Sequence, residues 1–311
     1  MDNDQITLSQ ALSGFEIYVR VRRLSPHTLF DYFNTYNKFQ KFLGDDLPLA
    51  AISKRQVQEF LDKHHHLSKK TILNYHTGLS SLWRWALEEE LVEENIIRKI
   101  APPDPEKPEI NPFTEQDVKL MLLACEKSVV FSLPNHREKA RYTLPNAKRN
   151  RAIILTLLDT GLRASELCNL TAAKLDMKNK QIVTYGKGDK QRILEMSSQT
   201  TQAIWRYLIK RPKLSDASPI FVGNHNLPLK RGGLLQLIKR IGERAGVRDA
   251  HPHRFRHTFA INFLRNGGNI YALQKQLGHS SLDMVKRYLK LSEQDCASVH
   301  RIASPVANWN L

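Results

Sequence analysis

The sequence predicts a mainly α-helical protein with one small antiparallel β-sheet, divided into two domains. Apolar residues recur every three or four positions through residues 1–100 and again after residue 113, which is the spacing of amphipathic helices. Residues 175–196 alternate in short runs separated by turn residues and predict the sheet. A proline-rich stretch, residues 101–112, separates the two helical parts. At 311 residues the chain has room for two buried cores.

Four amphipathic helices are predicted for the first domain, residues 1–100. Pro26 follows Ser25 and fits the first turn of a helix, whereas Gly44 ends that helix. Aromatic residues at helical spacing, such as Phe39 and Trp83, are expected to form the core. The predicted helices are residues 5–22, the stretch from Ser25 to Gly44, residues 54–64 and residues 69–90.

Five of the twelve residues from Ala101 to Pro112 are proline. Each proline removes a backbone donor and restricts the residue before it, so the segment cannot be helical and acts as a semi-rigid spacer. Residues 101–112 are therefore predicted to link the first domain to a second domain, residues 113–311. That second domain ends in a tail, residues 293–311.

The second domain is predicted to begin with a capped helix, because Thr114 lies three residues before Asp117 and an apolar run follows. A buried helix is expected at residues 151–158. Within the predicted sheet, turn residues lie at residues 178–180 and 186–189. Further helical blocks are separated at residues 211–219, 224–228 and 246–252.

Several classes of protein are not predicted. No run of about eighteen apolar residues occurs, so no membrane-spanning helix and no membrane partner are expected. The first residues lack the basic and apolar regions of a secretion signal. Cys125, Cys168 and Cys296 are far apart and odd in number, which favours neither a disulfide nor a zinc site. A cytoplasmic protein is the expectation.

The excess positive charge lies in the second domain. The chain has 47 Lys and Arg against 31 Asp and Glu, a net charge of +16. Residues 1–112 hold 14 of these cations and 16 of the anions, so residues 113–311 hold 33 and 15, a net charge of +18. Solubility needs far less charge. The second domain is thus predicted to bind a polyanion, although charge alone does not separate DNA from RNA or an acidic membrane.

Six side chains of the second domain form a pattern suited to phosphate chemistry. The sequence reads H-P-H-R-F-R-H from residue 251 and L-G-H-S-S-L-D-M-V-K-R-Y from residue 277. His253 and Arg256 are three apart, hence on one face of a helix that begins at Pro252. Two further motifs, G-L-R-A-S-E-L and G-K-G-D-K, each supply a cation. The candidates are Arg163, Lys187, His253, Arg256, His279 and Tyr288.

Each candidate has an ordinary structural interpretation when taken alone. An arginine at a helix start can form a surface pair, a lysine on a turn is normally solvated, and Tyr288 can be a core residue between Val285 and Leu289. Taken together they predict attack on a phosphodiester, because guanidinium forks bind the charge that develops on its oxygens. A phenol, whose pKa is about 10, needs a base and a cationic pocket to act as a nucleophile.

In order and spacing, these six residues resemble the active site of the tyrosine recombinases, the phage-integrase and Xer family. Motifs support the resemblance across residues 113–292, and the four-helix layout of residues 1–100 is similar to the family's core-binding domain. The resemblance implies a helical core-binding domain joined to a tyrosine-recombinase catalytic domain. Such a pair of domains is expected to close around a DNA duplex as a two-domain clamp.

The resemblance also implies a mechanism. Tyr288 would attack a DNA phosphate, form a 3′-phosphotyrosyl link and release a 5′ hydroxyl, which later attacks the link on a partner strand. Lys187 would protonate the departing oxygen and His253 would handle the phenol proton. The two arginines and His279 would bind the phosphate. Because the covalent link conserves the bond energy, neither ATP nor a metal nor another cofactor is expected.

The implied partners are double-stranded DNA recombination sites, on which the chain would form a homotetramer from free monomers or dimers. The need for accessory proteins is left open, and the expected location is the nucleoid within the cytoplasm. Residues 128–150 are read either as a solvated loop or as a contact for DNA or a partner. The tail, residues 293–311, is read as packing in cis or on a neighbouring protomer. Candidate phosphate contacts in the first domain are Arg20, Arg22, Arg23, His27, Lys69 and Lys70.

Three other functions are weighed against recombination. A type IB topoisomerase shares this pocket, but the separate first domain and the tail beyond Tyr288 favour a recombinase. A DNA-binding regulator without activity would be expected to lack one of the six candidates, and none is lost. A metal-dependent nuclease or transposase needs clustered carboxylates where these motifs supply cations. The sequence does not predict the DNA target, the choice among integration, excision, resolution and inversion, or a host or mobile-element origin.

Overall fold

The structure is a computed structural model of the chain. It describes residues 6–105, 109–126, 131–132, 139–140, 144–185, 191–211, 213–279, 281–289, 300 and 306. The chain divides into two compact units, Met1–Pro108 and Glu109–Leu311, called unit 1 and unit 2 below. This division falls inside residues 101–112. The role of that stretch as a linker and the closing of the two units as a clamp stay predictions.

The described part of unit 1 contains four α-helices. They are α1 (Leu8–Val21), α2 (Pro26–Leu43), α3 (Lys54–Lys63) and α4 (Lys69–Glu88), with short 3₁₀ turns at Leu49–Ala51 and Ile96–Lys99. Thr7 and Gln10 form a capping box at the start of α1, so this helix begins three residues later than predicted. Ser25 caps α2 through the backbone N–H of Thr28, and Gly44 ends it with a positive φ of 81°.

The core of unit 1 is aromatic, which confirms the prediction. Phe39 and Trp83 are fully buried. The ring of Phe39 packs edge-on against the rings of Phe60 and Trp83. The Phe39 and Phe60 ring centroids are 5.1 Å apart, and those of Phe39 and Trp83 are 6.2 Å apart. Such edge-to-face pairs add about 0.5–1.5 kcal/mol beyond the apolar area they bury. Rings from α2, α3 and α4 therefore pack together in the core of unit 1.

The described part of unit 2 contains eight α-helices and two small antiparallel sheets. Its elements are α5 (Glu115–Glu126), β1 (Phe131–Ser132), β2 (Lys139–Ala140), α6 (Ala147–Thr160), α7 (Ala164–Cys168), β3 (Leu175–Asp176), β4 (Gln181–Tyr185), β5 (Gln191–Glu195), α8 (Ser198–Leu208), α9 (Arg231–Ala245), α10 (Pro252–Arg265), α11 (Ile270–Leu277) and α12 (Asp283–Leu289). The mainly helical fold with a small antiparallel sheet is confirmed.

The predicted sheet has the strand order β3-β4-β5, with antiparallel neighbours throughout. Ile182 on β4 lies opposite Leu194 on β5, and both side chains are buried in the core of the unit. The turn between β3 and β4 is fixed by Asp176, whose carboxylate accepts hydrogen bonds from the backbone and side-chain N–H groups of Asn179. The second predicted turn carries Lys187 and lies outside the described residues.

Two stretches differ from the sequence-based prediction. The helix predicted at residues 151–158 is the longer α6, which starts at Ala147. Residues 147–150 look polar in the sequence, yet Arg149 is buried and donates hydrogen bonds to the Asn150 side chain and the Val222 carbonyl. Satisfied polar groups can enter a core. Within residues 128–150, β1 and β2 also pair, with Phe131 opposite Ala140.

The core of unit 2 surrounds α6, where Ile153, Ile154 and Leu157 are completely buried. A second, smaller cluster lies between α10, α11 and α12 and includes Leu277 and Tyr288. Of the tail, the structure describes only His300 and Val306, so its packing in cis or in trans stays a prediction. None of the helices found in the described residues is both long enough and apolar enough to cross a bilayer.

Two glycines of α9 give a matched test of this packing. Gly242 is buried, and a Cβ added to it would lie 2.3 Å from the Cβ of Ala250. Gly242→Ala is expected to lower the free energy of unfolding by about 1–3 kcal/mol because the added methyl overpacks the core. Gly232 on the same helix has no neighbour within 4 Å of an added Cβ. Gly232→Ala is expected to leave stability unchanged or raise it by up to about 1 kcal/mol.

The comparison is made by thermal and urea unfolding of the full chain and the two variants. Equal stability of the two variants would contradict the close approach of α9 to the turn that follows it.

Candidate active site

The candidate residues of unit 2 gather where the C-terminal ends of α6 and α11 meet the first turns of α10. Gly161 ends α6 in the left-handed region, with φ at 61°. A Cβ there would lie 2.5 Å from the ring of Phe259 on α10, so glycine is required by space as well as by φ. Gly278 ends α11 in the same way, with φ at 63°. These two turns carry Arg163 and His279.

Arg163 is the residue before the first turn of α7 and is fixed by Glu166. Its backbone N–H donates to Glu166 Oε2 at 2.8 Å, and its Nη1 donates to Glu166 Oε1 at 2.8 Å. Its Nη2 donates to the Gly278 carbonyl at 3.2 Å, which joins the α6–α7 turn to the end of α11. The Arg163 side chain keeps 34% of its surface exposed. It is therefore oriented and still accessible.

Glu166 is the anionic centre of the site, with its side chain 9% exposed. Its Oε2 also accepts a hydrogen bond at 2.8 Å from Nη2 of Arg192, on β5. Burial acts to raise the pKa of Glu166, but the hydrogen bonds from Arg192 and Arg163 outweigh burial and hold the pKa below its usual value. Neither Glu166 nor Arg192 is among the six candidates named from the sequence, although the position of Glu166 in the first turn of a helix predicts that it helps to hold Arg163.

Arg256, on the second turn of α10, is 2% exposed. Its Nη1 donates to the Gly161 carbonyl at 2.8 Å and its Nη2 to the Leu277 carbonyl at 2.6 Å. Both carbonyls belong to C-terminal ends of helices, which carry partial negative charge and stabilise a cation. Burial and the nearby Arg163 lower the pKa of Arg256 to about 10. The guanidinium thus remains charged at neutral pH.

His279 adjoins Arg256, with its Nε2 2.9 Å from Arg256 Nη2. A guanidinium only donates, so Nε2 accepts and the imidazole proton is on Nδ1. Within the described residues, Nδ1 is buried and has no hydrogen-bond partner. Burial, Arg256 and Arg163 lower the pKa of His279 to about 4. His279 is therefore a neutral donor at physiological pH.

His253 lies one turn before Arg256 on α10, with part of its ring exposed. Partial burial and the charge of Arg256 lower the pKa of His253. Its ring packs edge-on against that of His257, with centroids 4.5 Å apart. The sequence predicts that His253 handles the phenol proton of Tyr288. In the structure the imidazole in contact with that phenol is the one of His257.

Tyr288, on α12, is 2% exposed and shares a hydrogen bond of 2.8 Å with Nδ1 of His257. Burial raises the pKa of Tyr288, against the opposing charges of Arg256 and Arg287. Burial and the neighbouring His253 lower the pKa of His257 to about 4, so this imidazole is neutral. The sequence-based prediction missed His257. Its position four residues after His253, on the same helix face, is the signal that could have found it.

The structure thus brings five of the six candidates to the same part of unit 2. Arg163, Arg256 and His279 meet around the ends of α6 and α11. His253, one turn before Arg256 on α10, packs against His257, which is hydrogen-bonded to Tyr288. Lys187, the sixth candidate, lies outside the described residues.

The weaker candidates of the first domain, Arg20, Arg22, Arg23, His27, Lys69 and Lys70, are all exposed on unit 1. Arg20 pairs with Glu16, and His27 lies 3.6 Å from Asp31. Their contact with DNA stays a prediction.

Comparisons with known proteins show the family to which the chain belongs. The chain matches the model of the phage integrase family over residues 113–295 and that of the phage integrase N-terminal SAM-like domain over residues 12–90. It is 29% identical to the tyrosine recombinase XerC of Alcanivorax borkumensis, over 99% of this chain and 97% of the relative. It is 28% identical to XerC of Bacillus licheniformis, over 91% of this chain and 92% of the relative.

Solved structures share the fold. The Tn1549 transposon integrase in complex with a circular intermediate DNA has a TM-score of 0.72 and 21% identity, over 91% of this chain and 95% of that chain. A lambda integrase dimer bound to a COC′ core site has a TM-score of 0.69 and 18% identity, over 89% of this chain and 97% of that chain. Since the catalytic family model covers more than half of the sequence, this chain belongs to the phage integrase family and is a site-specific tyrosine recombinase.

Proposed function

We propose that this recombinase cuts and rejoins DNA by a metal-independent transesterification with Tyr288 as its nucleophile. The observation that carries the proposal is the buried Arg256 guanidinium, held in one orientation by two helix ends and joined to the neutral donor His279. Arg163, one third exposed, supplies the second fork. Fixed cations and donors stabilise the charge that develops on the non-bridging oxygens in the transition state.

In the first step, the Tyr288 hydroxyl gives its proton to a neutral imidazole and the phenolate oxygen attacks phosphorus. His257 is in hydrogen-bond contact with that hydroxyl and would accept the proton, and the His253 ring packs against His257. As the bond from Tyr288 to phosphorus forms, the bond to the 5′ oxygen breaks. Lys187 would give that oxygen a proton.

The product of cleavage is a 3′-phosphotyrosyl link and a free 5′ hydroxyl. Rejoining is the reverse step, with a 5′ hydroxyl as the attacking group and Tyr288 as the leaving group. One phosphodiester is exchanged for another bond of similar energy, so the reaction needs no ATP. Because Tyr288 is 2% exposed, a phosphate reaches its hydroxyl only after the residues that cover it move.

The partner in this proposal is double-stranded DNA carrying a recombination site. The net charge of +18 on residues 113–311 supports it, as do the DNA complexes of the Tn1549 and lambda integrases. We further propose a homotetramer on two sites, formed from monomers or dimers, acting at the nucleoid in the cytoplasm. The six exposed residues of unit 1 named above would contact phosphates there.

Replacement of the nucleophile is the direct test. Tyr288→Phe removes one hydroxyl and no charge, so it is expected to bind site DNA like the parent and to form no covalent complex. The measurement uses a nicked duplex, selected for binding from a random-sequence library, and protein–DNA complexes that survive SDS. A covalent band with the Phe variant would rule out Tyr288.

A second test separates charge from fork geometry at Arg256. Arg256→Lys keeps the charge but cannot donate in one plane to the Gly161 and Leu277 carbonyls. The cleavage rate is expected to fall on the order of 10²-fold, with DNA affinity nearly unchanged. Arg265→Lys, at the exposed end of the same helix, is the control and should cleave at the parent rate. Equal rates for both variants would contradict the assigned role of Arg256.

Chelation tests the independence from metal. Cleavage is expected to persist in EDTA, because two guanidiniums occupy the place that a divalent ion fills in a metal-dependent enzyme. Loss of cleavage in EDTA that magnesium restores would favour the nuclease or transposase interpretation.

A further inference from the structure

Arg192 is a charged residue on the buried face of the small sheet. It is the second residue of β5, opposite Thr184 of β4, and its side chain is 6% exposed. Arginine is rarely buried to this extent unless its charge is paired. Its place in the fold therefore calls for a specific role.

One edge of the Arg192 guanidinium is bound to the active site. Nη2 donates to Glu166 Oε2 at 2.8 Å, and the same carboxylate accepts from the backbone N–H and the Nη1 of Arg163. Glu166 thus stands between two arginines, of which only Arg163 is accessible to a phosphate. A glutamate bonded to Arg163 alone would keep freedom about its side-chain torsions, and Arg163 would share that freedom.

The other edge of Arg192 packs on the turn that carries His279. A Cβ added to Gly278 would lie 2.7 Å from Arg192 Nη1. Nε and Nη1 of Arg192 are buried and have no hydrogen-bond partner in the described residues. A buried donor without a partner destabilises the fold, so burial of Arg192 is not explained by stability. Among the described residues, the hydrogen bond that it makes is to Glu166, which in turn binds Arg163.

We propose that Arg192 is a positioning residue, which acts through Glu166 to fix the Arg163 guanidinium beside the Gly278–His279 turn. This inference rests on the proposed function, because Arg163 must bind the scissile phosphate for its position to affect rate. Arg192 itself does not touch DNA. Arg192 lies on β5, the strand that follows the predicted Lys187 turn. Its side chain therefore links that strand to Glu166 and to the Gly278–His279 turn.

Removal of the guanidinium is expected to slow cleavage without weakening DNA binding. Arg192→Met keeps an unbranched apolar stem and removes the charge and its donors. The cleavage rate should fall on the order of 10–100-fold, since a misplacement of about 1 Å at a catalytic group has an effect of this size. The dissociation constant for DNA should change less than threefold, because a side chain that is 6% exposed contributes no phosphate contact.

The pH profile gives a readout that a merely structural role would not move. Arg192 is one of the groups that hold the pKa of Glu166 down. Without it that pKa rises, Glu166 becomes protonated at a higher pH, and the acid limb of the rate profile should shift upward. The charged and titratable groups near Glu166 are Arg163 on the α7 turn, Arg256 on α10 and His279 after α11, and Arg192 also lowers the pKa of His279.

Repeating the substitution in a Glu166→Gln variant shows whether the shift of the acid limb comes from Glu166 or from His279. In Glu166→Gln the carboxylate is absent, so adding Arg192→Met should cost little further rate and should no longer shift the acid limb. If the shift came from His279 it would persist in this background. Non-additive losses are the signature of two residues acting as one unit.

Arg149→Met is the matched control for the loss of a buried arginine. Arg149 is buried on α6 and donates to the Asn150 side chain and the Val222 carbonyl, outside the active-site network. This variant is expected to lower the unfolding temperature and to keep the parent's rate per folded molecule and pH profile. Arg192→Lys, which retains a charge near Glu166, carries the test if the Met variant does not fold, and its rate should be intermediate.

All variants are assayed as full-length chains on the nicked duplex selected for binding, with folding followed by circular dichroism. If the parent forms no covalent complex, the proposed function is wrong. If the parent reacts and Arg192→Met reacts equally fast, the inference alone is wrong. A slower Arg192→Met with an unshifted acid limb, or with an additive loss in the Glu166→Gln background, would likewise overturn it. A slower rate with a shifted limb and a non-additive loss supports it.

Discussion

The burial of one guanidinium sets the geometry of unit 2. Arg256 is taken out of water between the carbonyl ends of α6 and α11, and a buried charge without such partners would cost several kcal/mol. The positions of α6, α10 and α11 therefore depend on one another. The same elements deliver Arg163, His253 and His279, so the interaction that stabilises the junction of the helices also assembles the site.

Burial, together with the nearby positive charge, sets the protonation of the imidazoles. His257 and His279 both have a pKa of about 4, and that of His253 is lowered as well, because burial and neighbouring arginines disfavour a further cation. Each ring is then neutral at physiological pH and offers one donor and one acceptor. His279 uses its acceptor for Arg256 and keeps its donor, whereas His257 uses Nδ1 for the phenol of Tyr288.

Much of this site was predictable because its signals are local. The three-residue spacing of His253 and Arg256 fixes a helix face, and Gly278 before His279 ends a helix. What the sequence did not reveal depends on contacts between distant segments. His257 meets Tyr288 across 31 positions and Glu166 meets Arg192 across 26. The spacing of His257 from His253 marks its helix face, but no local pattern reports the partner in either pair. The early start of α6 was hidden for the same reason, since Arg149 is satisfied by the remote Val222 carbonyl.

The two glycines that end α6 and α11 have a consequence for the evolution of this chain. Each is excluded from substitution twice, because a left-handed φ disfavours most side chains and because Phe259 or Arg192 occupies the space of a Cβ. Asparagine, which tolerates such a backbone, still brings the excluded carbon atom. A side chain at either position would therefore strain the backbone and displace a neighbouring side chain, so Gly161 and Gly278 tolerate substitution less than the surface around them.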